Sequence, residues 1–84
     1  MILFQKIVNQ KINNLSYKEL LHYAKQHNVS ITEDQSKKIV RLVRGKNINI
    51  FEDKERLKLL KEISTITSQE TAQKVNKLFL EFIN

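Results

Sequence analysis

Two histidines and a cluster of cations are the residues of this chain best suited to chemistry. His22 and His27 stand five apart. At 100° per residue on a helix they project about 140° from each other, so the two rings cannot close on one ion as an i, i+4 pair does. Neither has a carboxylate or a nucleophile at a spacing that would make it a general base, and His27, at the end of a helical pattern, suits the helix dipole. Cysteine is absent, which removes disulfides, thiolate metal sites and Cys nucleophiles. The sequence also lacks a Gly-rich phosphate loop, a paired-carboxylate motif and a recognisable Ser/His/Asp arrangement. It therefore points away from an enzyme: no catalytic residue, no cofactor and no metal are expected.

The cations are more suggestive. On a helix Lys37, Arg41 and Arg44 fall within about 60° of one another, opposite an apolar face centred near Ile39 and Val43, with Lys38 and Lys46 to the sides. Residues 1–51 carry nine Lys and Arg against Glu19, Glu33 and Asp34, and residues 52–84 carry six against six, so the formal charge of +6 belongs to the first part. Such a face can track a phosphate backbone. It is also the ordinary solvated side of an amphipathic helix, and no aromatic interleaves the cations as a base-stacking platform would require.

Two further residues suggest contacts with another protein. Arg56 falls on the apolar face of its helix, three and four residues before Leu59 and Leu60. It is expected either to pair with Glu52 at the rim of the core or to anchor a partner. Leu80 points away from the apolar stripe of its own helix and is a candidate oligomer contact.

The elements that must position these groups announce themselves by their starts. Ser16-x-x-Glu19, Thr32-x-x-Gln35, Asn49-x-x-Glu52 and Thr67-x-x-Glu70 all have the form of a capping box, in which the first side chain accepts an amide of the first turn and Glu or Gln reaches back to the cap amide. Asp53 is an alternative cap for the fourth helix. Five helices follow. The first spans about residues 2–13 and buries Leu3, Phe4, Ile7 and Val8, with Ile12 at the flank. The second runs to about His27 on Tyr17, Leu20, Leu21 and Ala24, and ends with Asn28 in the left-handed region. The third covers roughly residues 33–44 on Ile39, Val40, Leu42 and Val43, with Gly45 as its left-handed exit. The fourth carries Leu57, Leu59, Leu60 and Ile63. The fifth carries Ala72, Val75, Phe79 and Phe82, flanked by Leu78 and Ile83. Val29 and Ile31 should enter the core, and residues 46–51 alternate polar and apolar as a short extended stretch does.

Ile7–Asn14, Leu20–Gln26, Ile39–Phe51, Leu59–Ile63 and Thr67–Ala72 together resemble a family of small helical proteins of spore-forming Firmicutes, a domain of unknown function. The most distinctive part is Arg44-Gly45-Lys46-Asn47-Ile48-Asn49-Ile50-Phe51. The resemblance spans nearly the whole chain and implies a stand-alone cytoplasmic helical protein. It brings no activity and no site residue with it.

The expected architecture is all-α: one domain over residues 1–84, a compact bundle of about five short antiparallel helices. With no apolar run of membrane-spanning length and no signal peptide, the expected compartment is the cytoplasm and no membrane contact is expected. The expected function is a non-enzymatic protein-interaction module that binds another protein or itself. The alternative is a nucleic-acid binder using Lys37, Lys38, Arg41, Arg44 and Lys46.

Overall fold

The computed structural model describes the backbone of residues 2–83 and the side chains of residues 3–81. Five helices account for most of it: α1 (Ile2–Asn13), α2 (Tyr17–Gln26), α3 (Glu33–Val43), α4 (Asp53–Ile66) and α5 (Gln69–Ile83). No strand occurs among the described residues. The tightest pairs are α4 with α5 and α2 with α3. The third helix joins them through α4, and α1 lies more loosely against α3.

Two of the expected capping boxes form in full. Ser16 Oγ accepts the Glu19 amide at 3.1 Å while Glu19 Oε1 accepts the Ser16 amide at 3.1 Å. Thr32 Oγ1 and Gln35 do the same at 3.0 and 2.9 Å. Each cap is worth about 1 kcal/mol, because it satisfies amides that the helix cannot. Gln35 Nε2 also reaches the Ile66 carbonyl at 3.4 Å, tying the start of α3 to the end of α4.

The other two boxes do not form. Asn49 spends its carbonyl on the Phe51 amide at 3.0 Å, and α4 begins after Glu52, which makes no side-chain cap. The Thr67 hydroxyl donates to the Ile63 carbonyl at 2.7 Å and so closes α4. Its neighbour Ser68 opens α5, with Oγ accepting the Thr71 amide at 3.1 Å. Adjacent hydroxyls compete for the cap. The one whose carbonyl already accepts the first intrahelical bond, from the Ala72 amide at 3.0 Å, takes it.

Ile39, Val43, Ile50, Leu59, Ile63 and Ala72 form the centre, with Val8, Ile12, Leu20, Ile31 and Phe79 packed around it. Val29 is buried as expected. Ile50 is fully buried, a burial worth about 2–3 kcal/mol. Leu57, in contrast, lies on the outer side of α4 and is exposed. The side chains of Phe82 and Ile83, expected in the stripe of α5, lie outside the described residues.

The largest departure concerns α1. Leu3, Phe4 and Ile7 are 66%, 50% and 56% exposed, and only Val8 and Ile12 of the expected stripe pack inward. Two asparagines set this rotation. Asn9 and Asn13, one turn apart, turn toward the segment before α4: Asn13 Oδ1 accepts the Ile48 amide at 2.9 Å, and Asn9 Oδ1 accepts the Ile50 amide at 3.1 Å. Holding that side of α1 against residues 48–50 swings Leu3 and Ile7 outward.

Candidate interaction groove

The basic face of α3 is partly engaged within the molecule. Lys38 Nζ pairs with Asp34 Oδ2 at 3.3 Å, and Lys37 Nζ sits 5.0 Å over the Tyr17 ring. Arg41, Arg44 and Lys46 are exposed and make no ion pair among the described residues. The left-handed residues Gly45 (φ 73°) and Asn47 (φ 54°) turn the chain away immediately after Arg44. His22 and His27 are both exposed on the α2 side. No group of three or more His, Asp or Glu side chains placed to hold a metal occurs among the described residues.

Arg56 is a structural residue of the interior. It is buried, and Nη2 contacts Asp53 Oδ1 at 2.7 Å, so the partner is Asp53 where Glu52 was expected. Its Nη1 donates to the Ile50 carbonyl at 3.3 Å. A guanidinium committed in this way presents no anchor to a partner. Leu80 is half-buried on α5.

Residues 48–50 are held almost entirely by side chains. Besides the bonds from Asn9 and Asn13 to the Ile50 and Ile48 amides, Glu55 Oε1 accepts the Asn49 amide at 3.2 Å, and Asn9 Nδ2 donates to Asn49 Oδ1 at 2.8 Å. Asn9, Asn13, Glu55 and Arg56 thus do for this extended segment what a neighbouring strand would do. The sequence reading missed them. Their signal was two asparagines at i, i+4 beside Val8 and Ile12, a polar pair at core-facing positions.

What the rotation of α1 leaves behind is an open apolar groove of about 420 Å³. One wall is Ile7, Val8 and Ile12 of α1 with Leu20 and Tyr23 of α2; the other is Val75, Leu78 and Phe79 of α5; Val43 and Ile63 are among the residues at its base. The charged or titratable side chains along it are Lys11, Tyr23, His27 and Glu81. Glu19 of α2 is held below the ordinary carboxylate range by hydrogen bonds with the Ser16 backbone and then the Ser16 side chain, with the charge of Lys11 adding to them. Ile7 and Tyr23 are at once lining and exposed, so the groove runs out onto the surface. A second concavity, beside Lys25, Asn28 and Ser30, is bordered by Thr32 and Gln35, whose polar atoms are already committed to the capping box.

No helix among the described residues is long and apolar enough to cross a membrane. No solved structure gives a significant match to this chain. The chain is 50% identical over 82 residues to the Uncharacterized protein YqfT of Bacillus subtilis (strain 168), covering 98% of each chain. Residues 1–83 match the family model described as Protein of unknown function (DUF2624). With nearly the whole length matched by both, this chain belongs to the DUF2624 family.

Proposed function

We propose that this protein is a non-enzymatic cytoplasmic interaction module that docks another polypeptide in the groove between α1, α2 and α5. The observation that carries this reading is the continuity of the 420 Å³ groove with the exposed side chains of Ile7 and Tyr23. A soluble domain that leaves its central apolar residues reachable from solvent keeps a surface for a partner to cover. The inward-facing polar side chains support the same reading, because Asn9, Asn13, Glu55 and Arg56 are committed to holding residues 48–50.

The test is retention on immobilised protein from a nuclease-treated native lysate, comparing wild type with the double variant Ile7→Glu, Tyr23→Glu. Both positions are exposed, so the fold should survive. Protein retained by wild type and lost by the double variant supports the groove. Retention that is abolished by nuclease, or by Arg41→Gln with Arg44→Gln, overturns it in favour of nucleic acid on α3.

A further inference from the structure

We infer that the polypeptide that fills the groove is a second copy of this chain, laid across it by a two-fold axis so that α1 of each copy covers the groove of the other. The inference rests on the groove-docking reading above and names its partner.

Area gives the scale of what is missing. The chain exposes 6040 Å², whereas a folded monomer of its mass, 10.0 kDa, exposes about 5,200 Å². Elongation does not account for the difference, because the radius of gyration of 11.8 Å is that of an ordinary packed domain of this length. The surplus of about 800 Å² is of the size that one partner contributes to a standard protein–protein interface. A small ligand inside the groove would leave the exposed side chain of Leu3, which is not part of the lining, uncovered.

Charge then selects among macromolecules. The groove holds one cation, Lys11, and one anion, Glu81, and neither makes an ion pair among the described residues. The excess positive charge lies elsewhere: Lys37, Arg41 and Arg44 are on the side of α3 opposite Ile39 and Val43, which face the groove. An acidic partner finds no field drawing it into a nearly neutral groove, and a second cationic copy is not repelled from it.

Shape completes the case. Filling such a groove takes an amphipathic helix with apolar residues one turn apart on an exposed face. Leu3 and Ile7 of α1 are such a pair, 66% and 56% exposed. A two-fold arrangement uses each contact twice and sets Lys11 of each copy opposite the partner's Glu81.

Sedimentation equilibrium of the full chain from micromolar to submillimolar concentration tests this. Wild type should be a dimer in reversible exchange with monomer. Ile7→Glu should weaken it at least about tenfold with helicity unchanged by circular dichroism, whereas Leu57→Glu, at an exposed site away from the groove, should not. Lys11→Glu and Glu81→Lys should each weaken the dimer, and the two together should restore it. A wild-type monomer throughout the range overturns the second copy as partner, while the lysate experiment still decides the groove itself. A dimer insensitive to Ile7→Glu, one lost on Leu57→Glu, or one not restored by the charge exchange also overturns the inference.

Discussion

The Asn13 side chain pairs with both backbone polar groups of Ile48: Oδ1 accepts the amide at 2.9 Å, and Nδ2 donates to the carbonyl at 2.9 Å. A carboxamide presents donor and acceptor at the spacing of a peptide group, so one side chain takes the place of a missing neighbouring strand. This pairing places Ile48 and Ile50 against the core and fixes how α1 is rotated. It is thereby responsible for the exposure of Leu3 and Ile7.

Removing that amide should be costly. Asn13 is buried, and Asn13→Leu would strand an amide and a carbonyl that water reaches poorly, at about 1–3 kcal/mol for the pair beyond any packing change. The neighbouring Asn14→Ala, which loses only an exposed bond to the Gln10 carbonyl, should be near neutral. Urea denaturation midpoints check this; equal midpoints would show that the clamp carries no stability.

The start of α5 gives a second contrast. Ser68→Ala should cost about 1 kcal/mol, since it frees the Thr71 amide. Thr67→Val should cost less, because the Thr67 hydroxyl donates to a carbonyl of α4 that already accepts a backbone bond. A larger loss at Thr67 than at Ser68 in thermal unfolding would reverse the assignment.

These cases mark what the sequence made legible. Ser16 and Thr32 each stand alone as hydroxyls before an apolar pattern, and both boxes form where they were read. Asn49 and Thr67 carry the same local code but have a nonlocal or adjacent competitor: Asn49 is taken up by Asn9 and Phe51, and Thr67 by the end of α4. Capping is local and readable; the choice between two local uses of one side chain depends on tertiary contacts. The helix count and the left-handed Asn28 and Gly45 were legible for the same reason. The groove was not. Apolar periodicity indicates which residues can be buried but not how much partner surface the chain supplies, so Ile7 reads as core until Asn9 and Asn13 are seen to turn α1.

Gly45 has φ 73°, and a Cβ built there meets nothing within 4 Å. Gly45→Ala should therefore cost on the order of 1 kcal/mol from backbone conformation alone, with no steric addition. Asn47, at φ 54°, should tolerate Gly with little change and lose a similar amount on substitution by Val, whose branched Cβ disfavours the left-handed region. A tolerated Gly45→Ala in chemical denaturation would mean that the turn relaxes to a negative φ.

The two capping boxes differ in a way that pH can read. Glu19 is ionisable and its carboxyl titrates below its ordinary value, because the charged form is hydrogen-bonded with Ser16 in the folded chain. Gln35 plays the same part in the Thr32 box without a charge. A carboxyl whose folded pKa is depressed contributes stability that is fully present above its unfolded value, and that contribution is lost as the pH falls through the lower, folded value. In Glu19→Gln the amide oxygen can still accept the Ser16 amide, so the box should survive while the acid loss traced to this residue disappears. Stability measured by denaturant from neutral pH down through the carboxylate range should fall less steeply in Glu19→Gln than in wild type, and Gln35→Glu should make the fall steeper. Parallel pH profiles for wild type and both variants would show that neither box is coupled to a proton.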